Sequence, residues 1–390
     1  MADGFSLPTR IQTATLNAWL KKIEEPVYHN NPLMAHMRQK GLINYNAENV
    51  GGRLNWQVRV FRGKPSPITG EQREASFPVR QRIAQASLGW CGYDMAERLT
   101  WLEKKLNVAN KNRLYDIHEQ ILRMGMDDFL YYLGLYMWQD GSIPGNELYG
   151  YLSLIGGSST KTAEGCYNAL GTYTPITPAD GASSWWACSL DRTYAGLTMN
   201  LGNKDSAITV DEDKAFPMGK FSEAYHYWHP IIGDYNSDYF TVDSGETHNW
   251  KNQWQQALNA VNTYHAKLHK KPVDLYIIDA DLLRQAVDSL EDKQQITVTS
   301  SSETKSLGFK SLEYNGIELL PGYGVPDGLV AGFTWDAMQL RLLQSQLVER
   351  EEDHDIVSSD DLYKLSSGMQ MQFSSPALFP CLVPASSEGT

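Results

Sequence analysis

A chain of 390 residues with a net charge of −12 is longer than one hydrophobic core usually serves, which predicts two lobes. Its apolar fraction of 42% and charged fraction of 21% are those of an ordinary globular protein, no apolar run reaches the length of a membrane helix, and residues 1–10 lack the apolar core of a signal peptide. These features predict a chain made and used in a cytosol, and the acidic excess argues against a role in gripping nucleic acid, which needs basic groups to neutralise phosphates.

Residues 10–24 place Leu16, Trp19, Leu20 and Ile23 at helical spacing, with Lys21 and Lys22 outside the stripe, predicting a short amphipathic helix. So few apolar residues make a poor membrane anchor, so packing on another protein surface is the preferred use. From residue 51 to 90 the period changes to two. Leu54, Trp56, Val58 and Val60 alternate with Asn55, Gln57 and Arg59, and the return run alternates Ala84, Ala86, Leu88 and Trp90 with Gln85 and Ser87. Gly63, Pro65 and Pro67 break the ladder, so the two strands are joined by a charged segment of about fifteen residues rather than a tight turn. That segment, residues 62–76, has too little apolar surface to order itself and is expected to be held by a neighbour.

A long helix is predicted over 113–138, with Leu114, Ile117, Ile121, Met124, Phe129, Leu133 and Tyr136 on one stripe and a stop at Asp140-Gly141. Periodicity alone would describe the core helix of an enzyme as well. Residues 156–210 are rich in Gly, Ser, Thr and Ala around Trp185-Trp186, a composition of loops and short strands. Farther on, Trp254, Ala257, Leu258, Val261 and Leu268 form a helical stripe that Lys270-Lys271-Pro272 ends, and residues 273–278 read as a buried strand. Asp281 is placed to cap a helix containing Leu282, Leu283, Ala286 and Leu290. Helix, strand, helix argues for a mixed lobe around a central sheet. Tyr314-Asn315-Gly316-Ile317 predicts a hairpin with a type I′ turn, and 329–335 and 339–343 are further strands.

Reaction motifs are missing. No phosphate loop, nucleophile elbow or zinc-protease helix occurs, and Gly322-x-Gly324 runs into Val325-Pro326, which does not suit a dinucleotide-binding helix. His226, His229 and His248 could offer metal nitrogens, but they lie among Tyr225, Tyr227 and Trp228, where aromatic packing is the simpler use. The acids Glu349, Glu351, Glu352, Asp353 and Asp355 lack the spacing of a calcium loop and read as a solvated loop. Cys91, Cys166, Cys188 and Cys381 show no Cys-x-x-Cys pair and are expected to be free, mostly buried thiols.

Asn31-Pro32-Leu33-Met34 with Lys40-Gly41-Leu42-Ile43, then Gly51-Gly52-Arg53-Leu54-Asn55-Trp56-Gln57-Val58, and later Tyr227-Trp228-His229-Pro230, resemble tailed-bacteriophage major capsid proteins of the HK97-like fold. The resemblance implies an α+β chain. Residues 1–50 would be an N-terminal arm, 51–98 an extended β-hairpin (the E-loop), 99–150 and 325–390 a P domain with a long spine helix, 251–324 an A domain, and 151–250 a variable, insertion-like segment. It further implies a virion protein without catalysis, cofactor or metal. Such a protein self-assembles from pentamers and hexamers into an icosahedral shell around double-stranded DNA, first as a procapsid, in the host bacterial cytoplasm. Scaffolding protein and portal would be its assembly partners, and the DNA would be enclosed without sequence-specific binding. With about fifty residues before the E-loop, a separate scaffolding protein is expected. Two other readings stay open: an encapsulin-like cellular shell, and a cytosolic two-lobe enzyme with no recognisable motif.

Charge is unevenly placed. Residues 53–82 carry seven basic residues against two acids, whereas residues 349–361 carry seven acids against one arginine. Because the resemblance lays the E-loop over the P domain of an adjacent subunit, Arg59, Arg62, Lys64 and Arg73 are expected to face Glu349, Glu351, Glu352 and Asp353, in a loop, across subunits. Leu16, Trp19 and Leu20 are expected to pack on another copy.

Overall fold

The computed structural model describes residues 31–46, 52–59, 83–101, 111–143, 148–162, 166, 168–175, 185–188, 193–199, 228–269, 271–291, 312–355 and 359–385. Helix α1 (Pro32–Gln39) starts where the local chemistry asks. The Asn31 side-chain oxygen accepts from the amides of Leu33 and Met34 at 3.1 and 3.3 Å, and Pro32 occupies the first turn, where its missing amide costs nothing.

Strands β2 (Arg53–Arg59) and β3 (Ile83–Gly89) pair antiparallel, with Leu54 opposite Leu88, Trp56 opposite Ala86 and Val58 opposite Ala84. The period-two pattern holds: those apolar residues turn inward while Asn55, Gln57, Arg59 and Gln85 face out. The pair is tied to the body at this end, since the Trp56 indole donates to the Ser374 carbonyl (3.2 Å) and the Ser87 amide to the Ala195 carbonyl (2.9 Å). The charged connection beyond Arg59 lies outside the described residues.

Helix α2 (Lys111–Tyr136) confirms the long helical pattern but not its whole stripe. Met126, Phe129, Leu130 and Leu133 are buried, whereas Met124 is 65% exposed and does not belong to the stripe. At 100° per residue Met124 sits about 200° from Met126, on the opposite side. The side chains of Leu114, Ile117 and Ile121 lie outside the described residues. A short helix, α3 (Leu152–Ile155), precedes the Gly/Ser-rich stretch, within which the described residues include the two-residue strands β5 (Thr174–Pro175), β6 (Ala187–Cys188), β7 (Thr193–Tyr194) and β8 (Leu197–Thr198), as its composition predicts.

Two larger sheets organise the rest. The first joins β1 (Ile43–Asn44), β14 (Met338–Leu342), β16 (Asp360–Phe373), β15 (Glu349–Asp355) and β4 (Cys91–Leu99). Residues 361–366 pair with β15 and β4 at once, so those two strands flank β16 on opposite sides. The second sheet runs β11 (Leu312–Tyr314), β12 (Ile317–Pro321), β10 (Leu275–Ile278), β13 (Val330–Phe333), β17 (Cys381–Val383) and β9 (Ile232–Asp234). Its strands come from both sides of residue 324, since β10 pairs with both β12 and β13.

This second sheet separates two cores. Tyr276 and Ile278 face helices α4 (Trp250–His269) and α5 (Ala280–Glu291), with Trp254, Ala257, Val261 and Ala286, while Leu275 and Ile277 face the larger core with Leu133, Trp138 and Phe373. Burial on both faces is why β10 reads as an unbroken apolar run. The cap of α5 is Asp279 rather than Asp281: its Oδ1 accepts the Asp281 amide at 3.2 Å and its backbone carbonyl the Leu283 amide at 3.0 Å. Asp281 sits in the first turn, where its charge suits the helix dipole. Between β11 and β12, Asn315 and Gly316 take φ of 52° and 78°, the left-handed angles a type I′ turn requires.

His229 is buried beside Trp228 in this body, and burial lowers its pKa to about 4, against a weaker opposing hydrogen bond that the imidazole donates to the Pro230 carbonyl. An unfolded histidine titrates near 6.5, so between about pH 6.5 and 4 the folded chain binds fewer protons than the unfolded one. Stability is therefore full above pH 6.5 and falls as the pH drops, by up to about 3 kcal/mol from this group alone. Urea midpoints should fall more steeply over that window for the wild type than for His229→Gln. Parallel pH profiles would show that this histidine does not couple folding to protonation.

Candidate functional site

The charged strand β15 is the most unusual surface. Residues 349–361 were expected to form a loop, and this is corrected: Glu349–Asp355 is a strand paired antiparallel to β16, from Glu349 opposite Ser366 to Asp355 opposite Asp360. No apolar period announces it because the backbone ladder holds it, and an edge strand made of charges is protected from pairing with stray strands.

Strand geometry then splits the acids between two faces. Arg350, Glu352 and His354 share one face with Tyr363 and Asp361. There charges are compensated within the chain: Arg350 pairs with Glu352 and lies over the Tyr363 ring at 5.3 Å, and His354 Nδ1 meets Asp361 at 2.8 Å. Burial lowers the pKa of Arg350 somewhat and raises that of Tyr363. Glu349, Glu351 and Asp353 point the other way, exposed and without an ion pair among the described residues. Their spacing of about 6.6 Å along the strand leaves three like charges in a row. Lys364, opposite Glu351, leans toward Asp94 of β4 at 3.7 Å.

Asp360 has another role. Nearly buried, it accepts the Arg98 Nε–H at 2.6 Å and a second, closer guanidinium N–H, while its Oδ1 accepts the Trp101 amide at 2.6 Å. It fastens the end of β4 to the start of β16. Sequence reasoning grouped it with the other acids because nothing local marks a partner 262 residues away.

Of the basic residues expected to face these acids, Arg59 ends β2 on its exposed side, opposite Ile83, which is 54% exposed. Arg62, Lys64 and Arg73 lie outside the described residues, as do Leu16, Trp19 and Leu20. The histidines do not converge: His229 is buried, His248 contacts Gln253 and lies 3.6 Å from Asp238, and His226 is outside the described residues. Among the described residues no group of three or more potential ligands could hold a metal ion, and no helix is long and apolar enough to cross a membrane. Cys91, Cys166 and Cys381 are buried and form no disulfide among the described residues.

A second surface was not foreseen. Tyr323, Tyr131, Tyr132, Tyr136 and Tyr93 form a chain of ring contacts at 5.2, 5.4, 6.0 and 4.7 Å across α2 and β4. Tyr131, Tyr132 and Tyr323 are 44%, 40% and 37% exposed. The adjacent Tyr131-Tyr132 on a predicted helix was the one signal available in the sequence.

No protein-family model matches the chain, and no curated protein sequence does. Solved structures do. The chain resembles the capsid protein of cyanophage A-1(L), with a TM-score of 0.53 at 12% identity over 90% of this chain and 93% of that one. It is also similar to the capsid of a native GTA particle (TM-score 0.48, 10% identity, 90% of each chain) and to the SrpI encapsulin of Synechococcus elongatus (TM-score 0.43, 8% identity, 90% of this chain and 89% of that one). The first of these carries the assignment: the chain has the HK97-like fold of phage capsid proteins.

Proposed function

We propose that this protein is the major capsid protein of a tailed phage, a structural subunit without a catalytic role that assembles with copies of itself into a closed icosahedral shell around double-stranded DNA. The supporting observation is the likeness in fold to a phage capsid subunit over 90% of this chain and 93% of that one. Fold alone does not carry function, and the exposed acids of β15 add an independent reason to expect a partner. On this reading α2 is the spine helix of a P domain, β2 and β3 are the base of the E-loop, and the second sheet with α4 and α5 is the A-domain core. Scaffolding protein and portal would act during assembly, and the mature protein would reside in the virion. Across subunits, the basic segment containing Arg59, Arg62, Lys64 and Arg73 would lie against the outward acids of β15.

A cellular shell of the encapsulin kind would share this architecture and enclose protein. Treating particles recovered from the producing cells with nuclease separates the two: protected double-stranded DNA of a defined length is expected. Particles filled with protein and lacking DNA would favour the cellular shell.

A further inference from the structure

We propose that the tyrosine ridge across α2 and β4 is a docking surface for an arginine-bearing segment of a partner protein other than this chain. The ridge presents aromatic faces: Tyr131 and Tyr132 are 44% and 40% exposed and meet edge to face at 5.4 Å, with the Tyr323 ring 5.2 Å from Tyr131. Such faces carry the negative part of the ring quadrupole and attract cations. They are held in place before anything binds. The Tyr93 hydroxyl accepts from the Leu148 amide (2.8 Å) and the Gln139 side-chain amide (3.0 Å), which fixes its ring against Tyr136. The Tyr323 carbonyl accepts the Trp138 indole N–H at 3.0 Å, and Gly134 lets the Tyr323 ring lie on the helix, since a Cβ there would come within 3.2 Å of it. A preformed surface loses little freedom on binding.

Charge selects the partner. Asp127 and Asp128 are exposed one helical turn before Tyr131 and Tyr132, on the same side of α2, and neither has an ion pair among the described residues. Glu97 extends this acidic rim along the helix, its Cγ 3.6 Å from where a Cβ on Gly125 would stand, while Asp94 is met by Lys364 at 3.7 Å. A cation within about 6 Å of a tyrosine face is in reach of a carboxylate one turn earlier, because side chains three or four apart have Cβ atoms about 5–6 Å apart. Arginine fits this pair of contacts better than lysine, since its planar fork stacks on a ring and donates to a carboxylate at once. Beside Tyr132 lies a groove of about 190 Å³ lined by Tyr93, Met95, Phe129, Leu133 and Tyr136, smaller than the roughly 300–1,000 Å³ of a small-molecule site and suited to the apolar stem of one long side chain. The chain's own basic run, residues 53–82, is matched to β15 on the reading above, so the occupant comes from a different protein; in this respect the choice of occupant rests on that reading.

Fluorescence anisotropy of a labelled peptide, six arginines alternating with serine, titrated with the full-length chain tests this. The arginine peptide should bind about fivefold more tightly than its lysine counterpart of equal charge. Tyr131→Ala with Tyr132→Ala should weaken binding about tenfold at a nearly unchanged melting profile, because both side chains are exposed, whereas Tyr132→Phe keeps the ring and should keep most of the affinity. Asp127→Asn with Asp128→Asn should weaken it too and make what remains less sensitive to salt. Equal affinity for the two peptides would overturn the ridge as a site, since charge alone would then explain the binding. So would a loss caused by neutralising Glu349, Glu351 and Asp353 to glutamine rather than by the ridge variants. Displacement of the probe by a synthetic peptide of residues 57–76 of this chain would give the ridge to a second copy and overturn the separate partner. None of these outcomes requires shells, so the assembly reading stands or fails separately, by electron microscopy.

Discussion

Replacing Glu349, Glu351 and Asp353 together by lysine should block shell assembly while leaving the subunit folded. These three share one face of an edge strand, are exposed, and have no ion pair among the described residues. If they meet the basic segment of a neighbour, reversal turns three attractions into three repulsions, a change of roughly 1–6 kcal/mol per contact from exposed pairs of about 0.2–1 kcal/mol each. Every subunit repeats that contact, so the effect multiplies through the shell. Reversing Arg59, Arg62 and Lys64 to glutamate in the same chain should partly restore assembly, since both sides then carry the opposite sign. Glu352→Lys is a different experiment, because it strikes the internal partner of Arg350 on the opposite face. Normal assembly of the triple lysine variant at low salt, where such contacts are strongest, would exclude the pairing.

Asp360→Ala should act on the subunit itself. Its carboxylate accepts two guanidinium N–H groups of Arg98 and the Trp101 amide, and it is almost fully buried. Arg98 is 57% exposed, so after truncation it returns to water, and its lost pairing has to be discounted for solvent screening. What remains is a buried amide without its acceptor and a strand end without its clamp, about 2 kcal/mol in total. The urea midpoint should fall accordingly, with an unchanged slope, and Asp360→Asn should recover about half by keeping an acceptor for Trp101. An unchanged midpoint for Asp360→Ala would mean that the acid belongs with the surface charges after all.

The contrast between these acids marks the limit of what the sequence reveals. The period-two alternation of Leu54, Trp56 and Val58, the Asn315-Gly316 turn and the run 275–278 report on local geometry, and each appears in the fold as read. Strand β15 was not legible, because its charges satisfy no apolar pattern and its existence depends on β16. Strand β1 is similar, since Ile43 pairs in parallel with Leu340, almost three hundred residues away. Once β15 is known to be a strand, its period of two separates Glu349, Glu351 and Asp353 from Glu352, a division that a loop would not impose. Asp360 and the tyrosine ridge escaped for the same reason: their partners come from distant segments that only the folded chain brings together.

Electron microscopy of the purified full-length chain tests the central claim most directly. The account predicts closed shells built of pentamers and hexamers. A small discrete oligomer, with no larger form under any assembly condition, would contradict it and favour an enzyme.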